Sequence, residues 1–203
     1  MEYIYIILFA YLIGSIPFGF LLTKFFGLKD IRKIGSGNIG ATNVLRTGNK
    51  FLALATLLFD VTKGYLPVII ISQYYPQHTL FAALIAFLGH IFPCWLKFKG
   101  GKGVATYLGI LIALSYELSI LFIFTWISVT LIFKYSSVSS MFASLTVLVA
   151  AALKESAISI LDPNFNSDNN IKLILFIFFI LIVFTHRKNI SNLKNKKENK
   201  IKI

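Results

Sequence analysis

The sequence predicts an all-α, polytopic membrane protein, and three observations carry that prediction. Hydrophobic residues make up 57% of the 203, while charged residues make up only 14%. Mean hydropathy is +0.77. Seventeen of the 20 basic residues fall in four short segments between apolar stretches. A soluble domain of this length carries far more charge, spread more evenly.

The first apolar stretch is 3–23. It lacks a basic leader and a small-residue cleavage site, so it is expected to be a retained helix rather than a signal peptide. A span needs ~20 apolar residues. Residues 51–75 qualify apart from Asp60 and Lys63, and 79–96, 138–160 and 171–186 follow. Residues 104–133 would be ~45 Å long as one helix, too long for a simple span. Charge decides their division. Positive loops belong on the cytoplasmic side. Two short spans, 104–115 and 118–133, with a turn at Tyr116-Glu117, put every basic segment on one side. Glu2, Glu117, Asp162 and Asp168 then fall on the other, with Glu155 near it. The expectation is seven spans, two of them short, with the N-terminus outside and the C-terminus cytoplasmic. The whole of 1–203 is expected to be one membrane domain, acting as a monomer, with an Asn/Lys-rich tail that frays over 189–203.

Composition also excludes function classes. The single Cys94 rules out an intramolecular disulfide and a cysteine-rich metal site. No carboxylate cluster suits Mg²⁺, so no metal and no cofactor are expected. The net charge of +12 suits anionic headgroups or substrates. Nucleic acid is not an expected partner, because no soluble basic domain is present to bind it.

Four polar segments could carry chemistry. The first is Gly35-Ser36-Gly37-Asn38-Ile39-Gly40-Ala41-Thr42-Asn43-Val44-Leu45-Arg46. Glycines can turn backbone N–H groups toward an anion, and Arg46 offers a bidentate fork. The formal G-x-G-x-x-G is not a dinucleotide fingerprint, since it follows a membrane helix and not a strand. An ordinary polar loop is the plainer alternative. The second runs from Gly89 to Thr106 and contains Lys99-Gly100-Gly101-Lys102-Gly103 at a helix start, a ready anion site. Snorkelling explains Lys97 but not the glycines. His90, on an apolar helix, reads first as a structural histidine. The third is Lys134-Tyr135-Ser136-Ser137-Val138-Ser139-Ser140, and the fourth is His186-Arg187-Lys188-Asn189-Ile190. Both are weak signals alone. Asp60 and Lys63 lie on one helix face, and structural pairing is their first reading. Donors are abundant and general bases scarce. That profile suits a reaction whose electrophile arrives already activated.

Taken together, these motifs resemble the bacterial membrane acyltransferases that use acyl phosphate to acylate glycerol 3-phosphate. The resemblance runs from Gly14-Ser15-Ile16-Pro17-Phe18-Gly19 through Ser36 to Arg46, Asp60, Lys63-Gly64, Gly89 to Thr106, Tyr135 with its serines, and His186 to Ile190 with Glu198-Asn199-Lys200. It implies transfer of a long-chain acyl group to the sn-1 hydroxyl of glycerol 3-phosphate. The products would be lysophosphatidic acid and inorganic phosphate, made in the bacterial inner membrane at a site facing the cytoplasm. The implied catalytic positions are Ser36, Arg46, Lys102, Ser140, His186 and Asn189. Arg46 and Lys102 would bind phosphate, and the others would hydrogen-bond substrate oxygens. Gly37, Asn38, Gly40, Thr42, Asn43, His90, Lys99, Gly100, Gly101, Gly103 and Ser137 are expected to line the substrate. The chain departs from the family in its tail, with Asn192 for a frequent Arg and Lys196 for a frequent Gly. Two rivals remain. An organic-anion transporter needs midplane polar groups, and only Asp60 and Lys63 qualify. A non-catalytic scaffold needs the charges but not the glycine-rich motifs.

Overall fold

The computed structural model describes residues 1–161 and 169–201, with the side chains of 155–161 and 169 set aside. Asp162, Asp168 and Lys202 lie outside the described residues, as does the side chain of Glu155. The protein is all-α, and no strand occurs among the described residues. Its helices are α1 Glu2–Ser15, α2 Phe18–Phe25, α3 Ala41–Leu45, α4 Lys50–Tyr74, α5 Thr79–Ile91, α6 Val104–Leu114, α7 Tyr116–Phe133, α8 Ser136–Leu161, α9 Asn169–Thr185 and α10 Arg187–Lys194. They gather into two compact units, Met1–Leu114 and Ser115–Ile203.

By length and composition, four helical segments among the described residues can cross a membrane alone, and six if two bent pairs each count as one. α6 is apolar but has only 11 residues, about 16 Å of rise. A seventh crossing therefore rests on α6.

The first predicted span is not continuous. It breaks at Ile16-Pro17 into α1 and α2, bent by 43°. Pro17 has no N–H to continue the ladder, and it disfavours helical geometry at Ile16, which is extended at φ −61, ψ 118. The Ile16 carbonyl released at this break accepts a hydrogen bond from Lys63 Nζ at 2.7 Å. Lys63 is also 2.7 Å from Asp60 Oδ1, and both side chains are buried. The intramembrane pair is structural, and it seals a helix break.

In the first unit, α1 packs on α5 and α4 packs on α6. Glycine lets these backbones meet. A Cβ on Gly14 would overlap the Ala86 carbonyl, and one on Gly64 would overlap the Thr106 carbonyl. Polar segments 26–49 and 92–103 share one end of this unit. Ile31, Ile39 and Val44 of the first form one buried cluster with Leu96 of the second. At the other end, His78 Nε2 lies 3.6 Å from Glu2 Oε2.

In the second unit, Ser115 caps α7 by accepting the Leu118 N–H at 3.3 Å, so the break falls at Ser115, one residue before the expected turn. Lys134 ends the helix in left-handed geometry, φ 61. The bent pair α9 and α10 turns by 54° at His186. The tail does not fray from Asn189 as expected. It continues as α10 and then docks, with the Ile201 N–H donating to the Lys134 carbonyl at 2.7 Å.

Lys63→Met is expected to cost about 3–5 kcal/mol, because it leaves Asp60 buried without its cation. The double variant Asp60→Leu/Lys63→Met should recover most of that loss. Denaturant unfolding in detergent reads both, and equal losses would remove the pairing argument.

Candidate active site

The first polar loop is organised by one buried amide. Asn43 Oδ1 accepts from the Ser36 N–H at 3.0 Å and from Ser36 Oγ at 3.3 Å. It also accepts a long bond, 3.5 Å, from Arg46 Nη1. Asn43 Nδ2 donates to the carbonyls of Asn38 at 2.7 Å, Ile31 at 2.8 Å and Ile34 at 3.1 Å. The sequence reading placed Asn43 against the substrate. Its donors are committed to the chain, and its acceptor Oδ1 brings Ser36 and Arg46 together.

The loop's backbone donors are spent in the same way. The Gly37 N–H donates to the Ile34 carbonyl at 2.9 Å. The Gly40 N–H donates to Asn38 Oδ1 at 3.2 Å. Gly35 and Gly37 hold φ 54 and 72, the region that suits glycine. A Cβ on Gly35 would meet the Arg46 side chain, so this glycine makes room for the guanidinium. Thr42 is half-buried on α3. At the loop's start, Asp30 accepts the Arg32 N–H at 3.0 Å and pairs with the Arg32 guanidinium at 2.7 Å. These bonds hold its carboxyl down at about 2. Arg32 in turn stacks over Phe20, 4.6 Å from the ring centre.

The second loop makes a hairpin-like return over the end of α5. The Gly100 N–H donates to the Ile91 carbonyl at 3.0 Å, and the Gly101 N–H to the His90 carbonyl at 3.1 Å. These two amides therefore satisfy α5 and do not form the expected anion nest. The glycines are required for close approach. A Cβ on Gly100 would overlap the His90 carbonyl, and one on Gly101 would overlap the His90 ring. A Cβ on Gly103 would strike Phe87, and this residue also has φ +85. The return passes through Lys97 and Phe98, both at positive φ, 54 and 59. Such geometry is uncommon for bulky residues. The Phe98 N–H holds it by donating to the Pro93 carbonyl at 3.0 Å. The α1 helix fastens the same turn, with Tyr11 Oη donating to the Phe92 carbonyl at 2.7 Å and Trp95 Nε1 donating to Ser15 Oγ at 2.8 Å.

His90 is enclosed. Its Nδ1 lies 3.0 Å from Thr106 Oγ1 and 3.9 Å from Asp60 Oδ1. Lys99 is exposed, and Lys102 is half-buried just before α6, whose ladder begins with the Tyr107 N–H donating to the Gly103 carbonyl at 2.7 Å. The amides of Ser36, Gly37, Gly40, Lys99, Gly100 and Gly101 are thus bonded within the fold.

The second unit holds the remaining candidates. Ser137, Ser140, His186 and Asn189 are all buried. Ser140 Oγ donates to the Ser136 carbonyl at 2.8 Å and accepts from Trp126 Nε1 at 3.1 Å. His186 Nδ1 lies 2.7 Å from the Ile182 carbonyl, which can only accept. Nδ1 therefore carries a proton. Glu198 draws two candidates together. Its Oε1 accepts from Asn189 Nδ2 at 2.6 Å and from Ser137 Oγ at 3.0 Å. The sequence reading named Glu198 within a motif but gave it no role. Its signal was that it is the one acid in a strongly basic tail. Lys200 sits over the Tyr135 ring at 5.7 Å.

Residues 4–196 match the family described as "Glycerol-3-phosphate acyltransferase". The chain belongs to that family. A glycerol-3-phosphate acyltransferase of Pelagibacter ubique is 54% identical over the full length of both chains. One of Mesorhizobium japonicum is 48% identical over 96% of this chain and 94% of its own. Among solved structures, the integral membrane glycerol 3-phosphate acyltransferase PlsY in its glycerol 3-phosphate form is similar at TM-score 0.88 and 31% identity. That match covers 100% of this chain and 96% of the other. A second form of PlsY, with lysophosphatidic acid, matches at TM-score 0.86 and 30% identity. This member of the glycerol-3-phosphate acyltransferase family is an integral membrane acyltransferase. Lys196 adopts φ 58, left-handed geometry that is uncommon for a residue other than glycine.

Asn43→Leu should destabilise the protein by about 3 kcal/mol, because three carbonyls lose a buried donor. Activity should fall with it. Unchanged unfolding in detergent would show that the amide is not the hub. Lys196→Gly should stabilise by roughly 1 kcal/mol through relief of left-handed strain, read as a raised thermal midpoint at undiminished activity.

Proposed function

We propose that the protein transfers an acyl group from a long-chain acyl phosphate to the sn-1 hydroxyl of glycerol 3-phosphate. The products are lysophosphatidic acid and inorganic phosphate, in the first committed step of phospholipid synthesis. The observation that carries this reading is the full-length likeness to one enzyme solved in both glycerol 3-phosphate and lysophosphatidic acid forms. The two basic loops support it, because they leave Arg46 and Lys102 as cations suited to phosphate.

In the proposed step, the sn-1 oxygen attacks the acyl carbonyl carbon. The bond from that carbon to the phosphate oxygen breaks, and phosphate leaves. The hydroxyl proton passes to a phosphate oxygen of a substrate. Arg46 and Lys102 bind phosphate and stabilise the charge that develops. Ser36, Ser140 and Asn189 hydrogen-bond substrate oxygens. His186, when neutral, presents Nε2 as an acceptor rather than a donor. The enzyme works as a monomer in the bacterial inner membrane, with the N-terminus outside. The basic loops and tail lie on the cytoplasmic side, where both anionic substrates meet them.

The test is phosphate release by purified protein given palmitoyl phosphate and glycerol 3-phosphate. Release should require both substrates and should yield lysophosphatidic acid. Lys102→Ala should lower kcat by about 100-fold or more. Folded wild-type protein that turns over neither acyl phosphate nor acyl-CoA would overturn the proposal and direct attention to anion flux.

A further inference from the structure

We infer that Trp126 is a positioning residue for Ser140. The inference rests on the reading of Ser140 as a group that meets substrate.

Trp126 lies on α7 and is half-buried. Its indole Nε1–H donates to Ser140 Oγ on α8 at 3.1 Å. The Ser140 hydroxyl hydrogen is directed elsewhere, to the Ser136 carbonyl one turn back on α8, at 2.8 Å. The two bonds do different work. The bond to Ser136 uses the hydrogen, and the bond from Trp126 holds the oxygen. A hydroxyl hydrogen turns about its own C–O bond without moving the oxygen. Ser140 can therefore swing its O–H from Ser136 toward a substrate oxygen while Trp126 keeps Oγ in place. An indole N–H on the hydroxyl oxygen also polarises it and makes the O–H a stronger donor. Without Trp126, Oγ is free to leave its rotamer whenever the Ser136 bond opens.

A second rung lies one turn away. Thr130 Oγ1 donates to Ser139 Oγ at 2.7 Å, and Ser139 Oγ donates to the Tyr135 carbonyl at 3.0 Å. Thr130 and Trp126 are four residues apart on α7, so both rungs join the same pair of helices. The Thr130 rung pairs the helices without touching Ser140. It supplies the control that separates helix pairing from positioning.

The experiment compares Trp126→Phe, Ser140→Ala, the double variant and Thr130→Val in the phosphate-release assay. All four are measured at a temperature where each is folded by its thermal midpoint. Trp126→Phe keeps an aromatic side chain and removes the N–H together with part of the indole's volume, a packing loss that the thermal midpoint reads separately. It should lower kcat about tenfold, the loss of one hydrogen bond in the transition state, with KM for glycerol 3-phosphate within about twofold. The double variant should be no worse than Ser140→Ala alone, since Trp126 acts through Ser140. Thr130→Val should stay within about twofold of the parent. Full activity in Trp126→Phe beside an impaired Ser140→Ala overturns the inference alone. So do multiplicative losses in the double variant, or a Thr130→Val loss that matches Trp126→Phe. Full activity in Ser140→Ala overturns the reading of Ser140 itself, and the inference with it.

Discussion

A break in a helix within the membrane frees backbone groups that hydrocarbon cannot satisfy. The rest of the structure answers that constraint. The clearest answer is the Lys63 ammonium, paired with Asp60 and bonded to the Ile16 carbonyl where Pro17 interrupts the first span. Three others follow the same logic. Tyr11 closes the Phe92 carbonyl at the end of α5, and the amides of Gly100 and Gly101 close those of Ile91 and His90. Asn43 does the same for three carbonyls in a loop. Residues that look like a store of free donors in the sequence are therefore largely occupied in the fold.

This changes where the chemistry resides. A glycine-rich loop near a phosphate invites the idea of a backbone nest. Here the named amides of both loops turn inward and bond within the fold. Arg46 and Lys102 are the cations proposed to meet phosphate beside them. Preorganised cations suit a reaction in which the leaving group is already activated and needs only to be held and neutralised.

Much of the fold was legible from hydropathy alone. The helices over 50–74, 104–114 and 136–161 match their predicted stretches within a few residues. The division of 104–133 was legible too, because charge parity required it. The break at Pro17 was present in the sequence as an X-Pro step, yet apolar flanks on both sides concealed it. The docked tail was not legible. Its partner is the Lys134 carbonyl, distant in sequence, and its anchor is one glutamate among lysines. The site shows the same pattern. Ser36, Arg46 and Lys102 were readable as types in a motif. That Asn43 serves the loop, that His90 is enclosed and that Trp126 holds Ser140 are facts of three-dimensional contact, which spacing along the chain does not encode.

The glycines at the helix crossings of the first unit have a consequence for lipid traffic. Gly14 lies against Ala86 and Gly89 against Tyr11 along the α1–α5 seam. Gly64 lies against Thr106 and Gly109 against Val61 along the α4–α6 seam. Backbone meets backbone at all four points, so at these crossings no room is left for a methylene chain.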